Sequence, residues 1–407
     1  MKNQFVIFLF LFSIGIYSCK TKETQEDSKK ETASEVIQFK VKENSFMMKM
    51  QTEALKEPFK GVFTSNGKEE NLFPIKSTGV TTKPIVDAAK AFINSLSAEQ
   101  LKKTEFQMQD DEWRKWSNVD HGIFKREGIS LKEMGKEQRE FALGLMKVAL
   151  SAKGLQLSKD IMKTDQTLRE LNDNKPFFDE DLYFFTVMGK PSLTEPWGWQ
   201  IDGHHLVINY FVMGDQVVMT PTFMGGEPII TTSGKYKGNT LFQDEQNLGL
   251  KFVNSLSKEQ QKVAIISSEK RRNNAKTEAF KDNEIIDYQG LKVSELSEST
   301  RESLMHLIGQ YISNMHDGHA QVKMEEIKEQ FNNTYFAWVG AIDKDAVFYY
   351  RIHSPVILIE FDHQGAVGVK SKVKGATRNH IHSVVRTPNG NDYGKDLLRQ
   401  HIESHHH

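Results

Sequence analysis

Two histidine pairs carry the chemistry this sequence suggests. His204 and His205 stand side by side in "WGWQIDGHHLVINY", and His380 and His382 alternate in "NHIHSVV". Side chains two apart on a strand share a face, so His380 and His382 present two imidazoles to one place. A neutral imidazole is the commonest metal ligand. The same period splits the first pair. His205 falls with Val207 and Asn209, while His204 falls with Leu206, Ile208 and Tyr210. The second face is apolar apart from His204 and the tyrosine tip. His204 is therefore expected to be buried and hydrogen-bonded, and His205 to be the ligand.

The expected metal site takes His205, His380 and His382, with His204 and Glu360 as alternates or supports. Imidazole and carboxylate donors without cysteine argue against a structural zinc site and for a divalent transition metal (zinc, copper or iron) with an open position. A bound water would then be the nucleophile of a hydrolase, or the open position would serve an oxidase. Glu360 and Asp362 are the candidate general bases. Arg386 is the third catalytic candidate, near Asp392 and Tyr393. Two other readings stand beside this one: a non-catalytic lipoprotein that binds a metal or small ligand, and a buried hydrogen-bond network of histidines. Imidazoles of His205 and His380 more than about 7 Å apart would exclude a shared ion, since such bonds are ~2.0–2.1 Å. His316, Asp317 and His319 in "MHDGHA" form a second, weaker group. His121, His306 and His363 read as ordinary surface or core residues.

An internal duplication is expected to position these groups. "FINSLSAEQ" from Phe92 returns as "FVNSLSKEQ" from Phe252, identical at seven of nine positions and 160 residues apart. "GISLKEMGKEQR" from Gly128 is echoed by "GLKVSELSESTR" from Gly290, and "WGWQIDGHHLVINYF" aligns with "FYYRIHSPVILIEFD" from Phe348. Three matches in one order define two units, 85–230 and 245–385, each with helices followed by an antiparallel meander. Residues 41–84 read as an N-terminal β segment with a hairpin turn at Asn66-Gly67. Residues 386–407 read as a turn, a helix and a histidine-rich tail. Helices and strands are grouped rather than alternating, so the fold class is α+β with two pseudo-symmetric units in one body.

The 407 residues carry a formal net charge of −1, which gives no broad attraction to nucleic acid. No phosphate-binding glycine loop, dinucleotide fingerprint or Gly-x-Ser-x-Gly elbow is present. Residues 1–18 have the basic start and apolar run of a signal peptide. Cys19, the sole cysteine, sits where a lipoprotein carries its lipid. Residues 19–40 read as a disordered polar tether. A lipid on Cys19 would hold the protein to the membrane of the cell envelope, at the outer membrane or periplasmic face, with a small molecule of unknown identity as substrate or ligand.

Several stretches resemble a bacterial family called domain of unknown function 3500: "FKGVFTSNG", "LFPIKSTGV", "SLSAEQ", "EWRKW", "WGWQIDGHHL", "TPTFMG", "YYRIHSPVILIEFD" and "HIHSVVRTPNGNDYG". The pieces span about 59–401. The resemblance implies a secreted or envelope protein and a shared fold, and it assigns no activity to any residue.

Overall fold

Runs of aromatic and β-branched residues, broken by glycine turns, build most of the sheet that carries the histidines. A computed structural model of the chain describes residues 45–405 apart from 272 and 373. The expected signal peptide, Cys19 and tether lie outside the described residues. In chain order the strands are β1 (Glu105–Phe106), β2 (Ile129–Ser130), β3 (Phe184–Met188), β4 (Trp197–Gly203), β5 (Leu206–Met213), β6 (Gln216–Val218) and β7 (Thr222–Gly226). They continue with β8 (Ile265–Ser267), β9 (Leu291–Lys292), β10 (Tyr335–Gly340), β11 (Phe348–His353), β12 (Leu358–Gly365) and β13 (Ala376–Arg386). All belong to one sheet of order β1-β3-β4-β5-β7-β13-β12-β11-β10-β8, with β2 on β3, β6 on β5 and β9 on β10. Ten helices accompany it among the described residues, so the class is α+β. None of those helices is long and apolar enough to cross a membrane.

The two stretches of chain meet where β7 pairs antiparallel with β13 at the centre of the sheet. Strands β4, β5, β7, β11 and β12 are buried along their whole length, because both faces are covered. One face is apolar and lies under helices. Tyr350 there packs against Gly249 of the helix Gln243–Ser255, where an added Cβ would come within 2.4 Å of its ring. Its hydroxyl bonds that of Tyr311 on the helix Glu298–Ile312. The opposite face is polar and lies under irregular segments. Gln200 donates to the Trp113 carbonyl at 3.2 Å, and Asp202 pairs with Arg126 at 3.0 Å.

Two expectations are corrected. The segment 41–84 is not simply β: Phe46–Ala54 is a helix, because Ser45 caps its Met48 N–H and the following residues are good helix formers. The turn at Asn66-Gly67 is present, with Gly67 at φ +94° and its N–H on the Thr64 carbonyl at 3.0 Å. "GHHLVINY" is also not one strand. Gly203 pairs with Leu206, so His204 and His205 are the two turn residues of a hairpin. Apolar alternation on both sides hid the turn, and no Asn-Gly or Asp-Gly marks it.

Candidate metal centre

Strand register aims the three rings. His380 and His382 lie on β13, with His382 directly opposite Gly225 of β7. Next to Gly225 on the other side is His205, whose carbonyl accepts the Gly225 N–H at 2.8 Å. Gly225 has no side chain to fill the space between. A Cβ there would lie 3.2 Å from Cδ2 of both His205 and His382 and 2.8 Å from the Ile381 carbonyl. His205 has φ +60°, a left-handed backbone uncommon outside glycine and enriched at functional sites. That turn conformation, rather than strand alternation, carries its ring towards β13.

The result is a cluster of three Nε2 atoms. His205 Nε2 lies 3.2 Å from His380 Nε2, which lies 3.0 Å from His382 Nε2. Tetrahedral bonds of ~2.0–2.1 Å put donor atoms about 3.3 Å apart, so the spacing suits one ion. Among the described residues this is the one group of three or more histidine, cysteine or acidic side chains whose ligand atoms, all within 4.8 Å, can hold a metal ion. The three residues are 3%, 4% and 8% exposed. Burial, with the neighbouring imidazoles, drives His205 well below its ordinary pKa and keeps it in the neutral, ligating form.

The other ring nitrogens define tautomers. His380 Nδ1 is 2.8 Å from the Gly365 carbonyl, which only accepts, so Nδ1 carries the hydrogen. His382 Nδ1 is 2.7 Å from Glu278 Oε1, and the carboxylate assigns its hydrogen in the same way. In the neutral form each ring then turns an Nε2 lone pair towards the other. Metal-bound histidines characteristically donate their second N–H to a carboxylate or carbonyl. His205 departs from this pattern, since its buried Nδ1 has no partner among the described residues.

His204 stacks on His205, with ring centroids 4.0 Å apart, and turns away from the cluster. Its Nδ1 is 2.5 Å from Asp165 Oδ1, and Tyr183 donates to the other oxygen of Asp165 at 2.7 Å. Burial opposes a charge on His204, but the Asp165 carboxylate outweighs it and raises the imidazole above its ordinary value. Its Nε2 makes no hydrogen bond to any described residue.

The three expected catalytic residues are engaged elsewhere on the same sheet face. Glu360 accepts from the Lys276 and Thr277 N–H groups, the Thr277 hydroxyl and the Tyr349 hydroxyl. Asp362 accepts from Asn274, Ala275 and Gln364 and pairs with Lys270 at 2.8 Å. Arg386 pairs with Asp282 and Asp392 at 2.8 and 3.2 Å. None of the three has a hydrogen bond to the triad. The carboxylate oxygens of Glu360 and Asp362 are taken by backbone N–H groups, hydroxyls, Gln364 and Lys270, and the Arg386 guanidinium donates to Asp282, Asp392 and backbone carbonyls. His316 and His319 have ring centroids 5.9 Å apart and do not join an ion-holding group. His363 is a core residue, bonded to the Phe348 N–H and to Gln246.

Sequence reading missed Glu278 and Asp165. Glu278 sits in an irregular segment with no periodicity to expose it. Asp165 carried a usable signal: it shares the buried stripe of the helix Ala152–Leu171 with Ile161 and Leu168, and a carboxylate there needs a buried partner.

A chain with this sheet and this histidine cluster has the makings of a metal-binding α+β protein. It belongs to the family described as protein of unknown function (DUF3500), whose model matches residues 78–395. No curated protein and no solved structure matches it.

Proposed function

We propose that His205, His380 and His382 bind one divalent transition metal through their Nε2 atoms, and that the protein is a metal-dependent hydrolase or oxidase of the cell envelope. The carrying observation is the pair of fixed tautomers. With Nδ1–H of His380 and His382 committed to oxygens, two Nε2 lone pairs face each other at 3.0 Å. Between two neutral rings that contact is repulsive, and a metal ion or a shared proton makes it bonding. Imidazole donors without thiolate suit zinc, copper or iron.

Three protein ligands leave a coordination position open, where a bound metal lowers the pKa of water or polarises a substrate oxygen. The acid–base role moves from Glu360 and Asp362 to His204. Asp165 holds one nitrogen of that ring, and the other makes no hydrogen bond to a described residue, the arrangement that orients a general base. The near-complete burial of the three rings favours a second reading, a metal-holding protein without turnover. X-ray absorption on the zinc- or copper-loaded protein separates the two. Three imidazoles plus an exchangeable oxygen supports the enzyme, and a closed shell of protein donors supports the holding protein.

Residues 1–18 are assigned as a lipoprotein signal and Cys19 as the lipid acceptor that anchors the chain to the membrane. Mass spectrometry of envelope fractions tests this, since an unmodified N-terminus overturns it. The duplication of 85–230 in 245–385 is supported by the strand order, which runs outward in matching sequence from the β7–β13 pair.

A further inference from the structure

We infer that Glu360, Asp362 and Arg386 are positioning residues. They fasten the segment 274–278 to the sheet and thereby hold the Glu278 carboxylate on His382 Nδ1. The inference rests on the metal reading above and extends it from the three rings to the sheet beneath them.

The segment has no helix or strand of its own to satisfy its backbone. Its four consecutive N–H groups at Asn274, Ala275, Lys276 and Thr277 are all taken by two carboxylates of β12. Asp362 Oδ2 accepts the first two at 2.7 and 3.0 Å. Glu360 accepts the next two, at 2.9 Å for Lys276 and 2.8 Å for Thr277, and also the Thr277 hydroxyl at 2.5 Å. Arg386 of β13 takes the carbonyls that follow, donating from Nε to Thr277 at 2.9 Å and from Nη2 to Glu278 at 3.2 Å. Glu278 is thus held through its own carbonyl and the four residues before it by charged groups of the sheet.

The register explains why these three residues act together. Asp362 lies directly opposite His382, and Glu360 opposite Val384. Arg386 shares their face two positions further along β13. The strap is therefore pinned to the strand that carries His382 and to its neighbour. A glutamate on an irregular, partly exposed segment would otherwise sample many rotamers, and ordering it carries an entropy cost. Here the backbone is ordered by six anchored groups, so the carboxylate is presented in one place. What it fixes is the tautomer of His382, and so which nitrogen faces the ion.

The test is a Co(II) titration of the chain lacking its terminal histidine run, read by visible absorption and by competition with a chelator. Wild type is compared with Glu360→Gln, Glu278→Gln and the double variant. Positioning predicts that Glu360→Gln weakens Co(II) binding about tenfold and alters the absorption band. In the Glu278→Gln background it predicts little further loss, because one residue acts through the other. Fully additive losses, or unchanged affinity with only a lower melting temperature, overturn the inference and leave the metal site standing. Absence of Co(II) binding by wild type overturns the metal reading, and this inference with it. Should Glu360→Gln fail to fold, Thr277→Val removes only one hydroxyl bond to Glu360, and the same reasoning predicts a loss of about twofold or more. Unchanged affinity in that variant overturns the inference.

Discussion

The Nε2 atoms of His380 and His382 stand 3.0 Å apart on one strand, while each ring's Nδ1 is committed to an oxygen. In their neutral forms, with Nδ1 carrying the hydrogen, the two rings have no N–H between their facing Nε2 atoms. The geometry suits one metal ion, with β13 offering two candidate ligands and a left-handed turn the third.

The Glu278 carboxylate accepts from His382 Nδ1 at 2.7 Å, the contact expected to set the strength of the site. Glu278→Gln keeps the size of the side chain and removes the charge that accepts from His382. Outer partners of metal-bound histidines contribute roughly 10–100-fold to affinity. Competition titration with zinc is expected to show a loss in that range with an unchanged fold. Equal affinities would remove Glu278 from the account.

Gly225 sets the space. An added Cβ would meet the rings of His205 and His382 and the Ile381 carbonyl. Gly225→Ala is expected to cost about 1–3 kcal/mol through overpacking and to push the rings apart, weakening metal binding more than it lowers the apo melting point warrants. Normal binding with a destabilised fold would show that the glycine serves packing alone.

Arg386 holds a buried charge network in which Asp282 also takes Arg114 at 3.0 Å and the Tyr393 hydroxyl at 3.0 Å. Arg386→Met would leave Asp282 and Asp392 without their shared cation. Removal of one partner from a buried pair costs about 3–5 kcal/mol. Urea denaturation measures this, and a loss under about 1 kcal/mol, the scale of an exposed pair, would contradict it.

Burial holds His353 at about 3, well below its ordinary value of 6.5. Above pH 6.5 neither the folded nor the unfolded chain takes a proton there. As the pH falls from 6.5 towards about 3 the unfolded chain binds one and the folded chain does not. The stability associated with the neutral ring is therefore lost across that window, by at most about 1.4 kcal/mol per pH unit. Subtracting the urea stability of His353→Gln from that of wild type at each pH isolates this contribution. The difference should fall as the solution is acidified, and a flat difference would refute it.

The fold was legible where local pattern and tertiary structure agree. The α+β class, the meanders and the shared face of His380 and His382 follow from period-two alternation and glycine turns. The His204-His205 turn was not, because it lacks a turn dipeptide and lies between two apolar runs that read through it. Two of the three candidate ligands follow from strand spacing. His205 was found for a different reason than the one that places it, since its ring is aimed by a positive φ. The partners of the rings are long-range. Glu278 is 104 residues from His382 and Asp165 is 39 from His204, and no local pattern links them. Glu360 and Asp362 read as reactive because they are polar on one strand face, and Arg386 because it follows the His380-His382 pair closely in the chain. Their backbone partners at 274–278 come from a segment with no strand or helix signal.

The account is tested most directly by the metal content of the native protein, expressed without its terminal histidines and assayed by elemental analysis beside His380→Ala. It predicts about one equivalent of zinc, copper or iron per folded chain, lost in the variant. No stoichiometric metal in wild type, either as purified or after controlled reloading with each of these ions, would contradict it.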